Sequence, residues 1–96
     1  MKIHELLDNE SKWTKDCAAK DCFGFNVNIR SRVAVCWCLL GAIEKCYPRK
    51  PQNLTVKTKV YNALLKRYNM NSIIFFNDSL KTNFDNVRDL CLELDI

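Results

Sequence analysis

The sequence predicts a mainly α fold: a compact bundle of about four helices around a buried central helix, residues 32–47, with a small β-hairpin or extended loop over residues 13–29. Three observations carry this. The run from Val33 to Ile43, which holds most of AVCWCLLGAIEKC, covers every direction around an axis at 100° per residue, as a helix enclosed on all sides would. Residues 54–69 gather Val56, Val60, Tyr61, Leu64, Leu65 and Tyr68 on one side, with Lys59, Asn62 and Lys66 opposite. Phe25, Val27 and Ile29 alternate with Asn26 and Asn28, which is the period of extended chain.

Taken in order, Ile3, Leu6 and Leu7 mark a short amphipathic helix ending near Asn9. Over residues 13–29 the helical period is lost, and a tight reversal is expected around Asp21 to Gly24, since Gly supplies the positive φ such turns need. An isolated hairpin is marginal, so Trp13 and Phe25 are expected to anchor it on the helices. Ser31 offers an N-cap to the central helix and Pro48 ends it, because proline disfavours helical geometry at Tyr47. SIIFFND is either a brief helical turn or an extended piece, closed by the turn-favouring pair Asn77-Asp78. Thr82 or Asn83 caps a last helix over residues 84–94, whose apolar stripe is Phe84, Val87, Leu90, Cys91 and Leu94.

Length and composition narrow the classes. A chain of 96 residues, 48% of them hydrophobic and with two Gly and two Pro, makes a single globular domain spanning residues 1–96 and has no linker. The opening MKIHELLDNE carries acidic residues where a secretory signal needs an apolar core, and the longest uncharged run has eleven residues, too few to span a bilayer. A soluble, cytoplasmic protein is expected, with six reduced Cys instead of a disulfide framework. The net charge of +4 would suit nucleic acid or an acidic partner without requiring either.

Cys36 and Cys38, two apart on a helix, point about 200° away from each other and cannot grip one ion. A zinc site could still be assembled from Cys17 and Cys22 with one or two helical thiols, and the alternative is Cys as a compact buried apolar residue. The only His, His4, lies on a terminal turn, so a Cys-His catalytic pair has no support. Asp85, Asp89 and Glu93 fall opposite an apolar stripe and read as a solvated face. Two isolated Gly cannot form a phosphate-binding loop. No catalytic residue, metal or cofactor is assigned from these patterns.

Gly41 inside a helix costs about 1 kcal/mol relative to Ala, so something must approach its backbone closely, either a packed element or a ligand. Basic residues gather as Arg30 and Arg32, as Arg49 and Lys50, and as Lys57, Lys59, Lys66 and Arg67. A solvated helix face and a nucleic-acid footprint both account for the last group, and no helix-turn-helix, zinc-finger or aromatic RNA-binding signature accompanies it.

The stretches WTKDCAAKD, AVCWCLLGAIEK and FNDSLKTNFDNV together resemble a family of small bacterial and phage proteins of unknown function. The likeness spans about Trp13 to Val87 and rests on Trp13, Thr14, Ala19, Asp21, Gly24, Ala34, Trp37, Cys38, Leu39, Gly41, Ala42, Asn77, Asp78, Lys81, Thr82 and Val87. Lys15-Asp16 stands where the family often has Gly, and Phe76 replaces a Trp. The resemblance implies a bacterial or phage origin and sets the polar Asp21, Asn77, Asp78 and Thr82 beside Trp13 and Trp37. Those residues either line a shared pocket or are turn formers and caps. Size and resemblance together point to a small non-enzymatic binding protein, an inhibitor of a host defence protein among the expectations, with a protein partner and no membrane. The expected surface joins Trp13, Asp21, Asn77, Asp78, Thr82, Arg30 and Arg32 to the basic helix. The alternative is a nucleic-acid-binding module using Lys59 and Lys66.

Overall fold

A computed structural model describes residues 1–96. The elements are α1 (Ile3–Leu6), β1 (Ala19–Lys20), β2 (Cys36–Trp37), α2 (Leu39–Cys46), α3 (Gln52–Tyr68), α4 (Ile73–Asp78) and α5 (Phe84–Leu94), with a 3-10 turn at Glu10–Lys12. The fold is mainly α, with one two-stranded antiparallel sheet. Its hub is α2, which touches α1, α3, α4 and β2 and fully buries Leu39, Ala42 and Ile43. Val56, Val60 and Leu64, spaced four apart on α3, form one wall of the core, and Phe84, Val87, Leu90 and Cys91 of α5 form another. Phe76, Ile3, Leu6 and Leu7 join the same continuous cluster. Each such side chain contributes roughly 1.5–3 kcal/mol on burial, so packing rather than propensity holds the short helices α1 and α4 in place.

The helix ends follow sequence chemistry. Ser72 caps α4 by accepting the Phe75 amide, and Asn83 and Asn86 form a reciprocal capping box at the start of α5. Asn69 and Asp95 end α3 and α5 in the left-handed conformation that short polar side chains tolerate.

The central helix is shorter than the expected 32–47. It begins at Leu39, and its cap is Cys38, whose Sγ accepts the Gly41 amide at 3.2 Å, not Ser31. The residues before it leave the helical path: the Ala34 amide closes a turn on the Ser31 carbonyl, β-branched Val35 favours extended chain, and β1 supplies a ladder in which Ala19 faces Trp37 and Lys20 faces Cys36. Val33 is 56% exposed, so the run is not enclosed along its length. The helical separation of Cys36 and Cys38 therefore does not apply, since one lies on a strand and the other on a helix cap.

The reversal at Asp21 to Gly24 forms as expected, with Gly24 at φ +85° and its amide donating to the Asp21 carbonyl at 3.1 Å. It returns Asn26 beside Lys20 and lets the Val27 amide donate to Ala19, but the sheet itself pairs β1 with β2. On the far edge of β2 the Thr14 amide donates to the Trp37 carbonyl, which fixes the Trp13 segment. Trp13 packs against the core as expected, whereas Phe25 is 69% exposed and anchors nothing. SIIFFND resolves as α4, with Asn77 and Asp78 inside its last turn instead of in a loop after it. Gly41 meets a packed element: a Cβ there would lie 2.2 Å from the Ala18 carbonyl oxygen, so only Gly lets the strand lead-in lie against α2.

Candidate functional site

Trp13, Asn77, Asp78 and Thr82 are brought to one side of the molecule, where Asn77 bonds Trp13 and Asp78 and Lys15 ties in the Thr82 carbonyl. The Asn77 side chain is buried and uses its whole hydrogen-bonding capacity. Oδ1 accepts Trp13 Nε1–H at 2.7 Å and the Leu39 amide at 2.9 Å, while Nδ2 donates to the Thr14 carbonyl at 3.0 Å and to Asp78 Oδ1 at 2.9 Å. Asp78 Oδ1 also accepts the Asp16 amide at 3.0 Å, where Asp16 sits at φ +71°. Lys15 reaches over the Trp13 ring and donates from Nζ to the carbonyls of Ser79 and Thr82 at 2.6 and 2.9 Å. The Trp13 segment is thereby fastened to α4 and to the loop before α5.

Beside this network lies a cleft of about 390 Å³, bounded by residues 16–18, the first turns of α2, and α4. Ile29, Leu40 and Ile74 give it apolar walls, and Asp16, Asp78 and Glu44 stand among the residues at its edge. Cys17 and Cys38 also line it. Burial pushes the Cys38 thiol above its ordinary value against the pull of the Gly41 and Leu40 amides, and Asp78 and Cys17 add to the rise. At neutral pH Cys38 is thus a protonated thiol. Glu44 is held below the usual carboxylate range by its hydrogen bond from Lys57. No three His, Cys, Asp or Glu side chains of the molecule stand close enough together to hold a metal ion.

Asp21 is not in this group. It lies at the base of an arm, residues 21–35, whose Val27, Ile29 and Ala34 rest against the core, and its Oδ1 accepts the amides of Phe23 and Phe25 at 2.9 and 3.0 Å. This is the turn-forming role, and it sets both phenylalanines into solvent, Phe23 at 80% exposure. Val33 and Val35 are exposed on the returning limb. Arg30 donates to the Glu44 carbonyl at 2.9 Å and ties the arm to α2, and Arg32 projects freely. Lys59 and Lys66 lie on the outer face of α3 with Asn62, away from the Asn77 network. The structure thus divides the expected surface into three regions: the Asn77 network and its cleft, the arm, and the α3 face.

Sequence reasoning passed over Asp16, Leu40 and Ile74 as site residues, weighed Cys17 only as a zinc ligand, and missed the exposure of Phe23. Asp16 carried a faint signal, since Asp is among the few non-Gly residues that adopt positive φ. The apolar wall residues carried none, because a Leu or Ile at a cleft and one in a core look alike in sequence. Compared with known proteins, the chain matches no protein-family model, no curated relative and no solved structure. No helix is long and apolar enough to cross a membrane.

Proposed function

We propose that the chain is a small non-enzymatic binding protein that docks a protein partner through the arm of residues 21–35 and the loops beside it. One observation carries the reading: within this arm Phe23, Phe25, Val33 and Val35 stand in solvent next to Arg30 and Arg32, while hydrogen bonds to Asp21 fix the turn. Isolated exposed apolar residues are ordinary, but four within one short segment that also carries two arginines make that segment the best candidate docking surface. The resemblance to small bacterial and phage proteins supports a bacterial or phage origin, and with it a role as inhibitor of a host protein, defence proteins included.

Site-specific photocrosslinking tests this in bacterial cells with and without phage infection. A photoreactive residue at Phe23 should trap one partner at stoichiometric yield, a probe at Asp89 on α5 should trap none, and Phe25→Ser should abolish the Phe23 product. Equal labelling from both positions, or none from Phe23, overturns the reading.

A second reading rests on a separate observation: Lys59 and Lys66 share the outer face of α3, and neither enters any of the ion pairs of the molecule. Cations free of partners can release counterions from phosphates. The adjacent Arg67–Glu93 pair dilutes that field. This reading requires retardation of DNA or RNA at low salt that is lost in a Lys59→Glu, Lys66→Glu double variant.

A further inference from the structure

We propose that the face formed by α3 and α4 is the contact through which two copies of the chain pair as a symmetric dimer. It lies apart from the arm and does not depend on it. The core takes only one side of α3, through Val56, Val60 and Leu64, and a second stripe remains in solvent beside it. Leu54, Thr58, Tyr61, Leu65 and Tyr68 recur at alternating intervals of four and three, and all five are exposed. That is the spacing of a helix seam that meets an equivalent helix. α4 widens the stripe: Tyr68 packs on Phe76 with ring centroids 5.0 Å apart, and a groove of about 380 Å³ joins Leu54, Thr58 and Tyr61 to Ile73 and Ile74. Phe75, 74% exposed, continues it.

Three properties of this face select a second copy as its occupant. The first is area. Leu54, Tyr61, Leu65, Tyr68, Ile74 and Phe75 leave on the order of 600 Å² in water, most of the roughly 800 Å² that each side of a stable interface buries. The second is charge. A chain of net charge +4 repels its own copy through its basic surfaces, yet no charged residue occurs between Arg67 and Asp78, and Lys57, the one ion at the groove, is paired with Glu44 of its own chain. Lys59 and Lys66 fall on the other flank of α3, so the contact brings no like charges together. The arm differs, because its arginines suit a partner of another composition. The third property is symmetry. Tyr61 is the midpoint of the stripe, so antiparallel α3 helices crossing there set Tyr61 against Tyr61, Leu54 against Tyr68 and the small Thr58 against the larger Leu65, the last two contacts each occurring twice about the two-fold axis. Antiparallel helices also lay opposite dipole ends side by side.

Sedimentation equilibrium of the intact chain, kept reduced, tests this from micromolar to millimolar concentration. Association to a species of about twice 11.2 kDa is expected, with none larger, because a two-fold contact closes on itself. Leu65→Glu and Thr58→Lys, both at exposed positions, should each weaken association about ten-fold or more. Circular dichroism and urea midpoints, taken at a concentration where the parent is monomeric, show that each variant is folded. An equimolar mixture of the two variants should associate more tightly than either alone, since the ammonium introduced in one copy then faces the carboxylate introduced in the other. Phe23→Ser, on the arm, should leave association unchanged, which separates this result from the fate of the arm. A monomer at millimolar concentration, a dimer indifferent to both α3 variants or dissolved by Phe23→Ser, or a mixture no tighter than its components overturns the proposal.

Discussion

Asn77 shows how one polar side chain can determine local architecture. It joins three separated stretches: Trp13 and Thr14 by one donor and one acceptor, the start of α2 through the Leu39 amide, and its own neighbour Asp78. Replacing it with Ala leaves the Trp13 indole N–H, the Leu39 amide and the Thr14 carbonyl without this partner, the Leu39 amide in a buried position and the other two part-buried. An unpaired buried group costs about 1–3 kcal/mol, so Asn77→Ala should lower the unfolding free energy by roughly 3 kcal/mol or more. Asn62→Ala, on the exposed face of α3, should stay within about 0.5 kcal/mol of the parent. Urea titration followed by Trp emission reads both, and an Asn77→Ala variant as stable as the Asn62→Ala one would show that the network contributes nothing. In sequence, Asn77-Asp78 reads as a turn because short polar side chains commonly cap and turn chains. The partner that reveals its inward orientation is Trp13, 64 positions away, and no local pattern reports that distance.

At the level of elements, legibility followed whether a segment's signal was local. The limits of α5 were readable because its apolar stripe and its Asn cap lie within the helix itself, and α3 extends only two residues before the predicted start. The start of α2 was not readable, since residues 35–37 take extended form through pairing with β1 and the Trp13 segment, contacts made by chain far away in sequence. The arm combines both cases: its turn was visible in Asp21 and Gly24, while the outward display of Phe25 depended on how far the core reaches. Asp21 is the fixing point of that display, because a single carboxylate oxygen accepts two arm amides. Asp21→Ala should therefore raise hydrogen exchange of the Phe23 and Phe25 amides about ten-fold. Global stability should change by less than about 1 kcal/mol, because those amides can turn to water. Unchanged protection would mean that the Gly24 turn holds the arm without the carboxylate.

Across the whole molecule the dimensions are 36 × 31 × 19 Å, and the short axis accommodates only two layers of helices about 10–12 Å wide. A core that thin has little depth to spare, and compact thiols fill part of it: Cys91 is 1% exposed within α5, and Cys46 packs against the same cluster from α2. Burial pushes the Cys91 thiol up to about 12, with Cys46 adding to the rise, and burial raises Cys46 and Cys38 as well. A thiol shifted upward on folding keeps its proton in the native state after the unfolded chain has lost it, so the native state binds more protons over that window. Its contribution is therefore complete below the ordinary value of 9.0 and is lost as pH climbs from there toward 12. Cys91→Val removes this titration and preserves an apolar side chain of similar size. Between pH 9 and 12 the parent should lose about 1.4 kcal/mol per pH unit relative to the variant, and below pH 8 the difference between them should be constant. The shifts of Cys38 and Cys46 are present in both proteins and largely cancel in the comparison. Urea midpoints measured at about pH 7.5, 9.5 and 10.5 give the slope, and parallel curves would place the Cys91 sulfur in contact with water and the core open along α5.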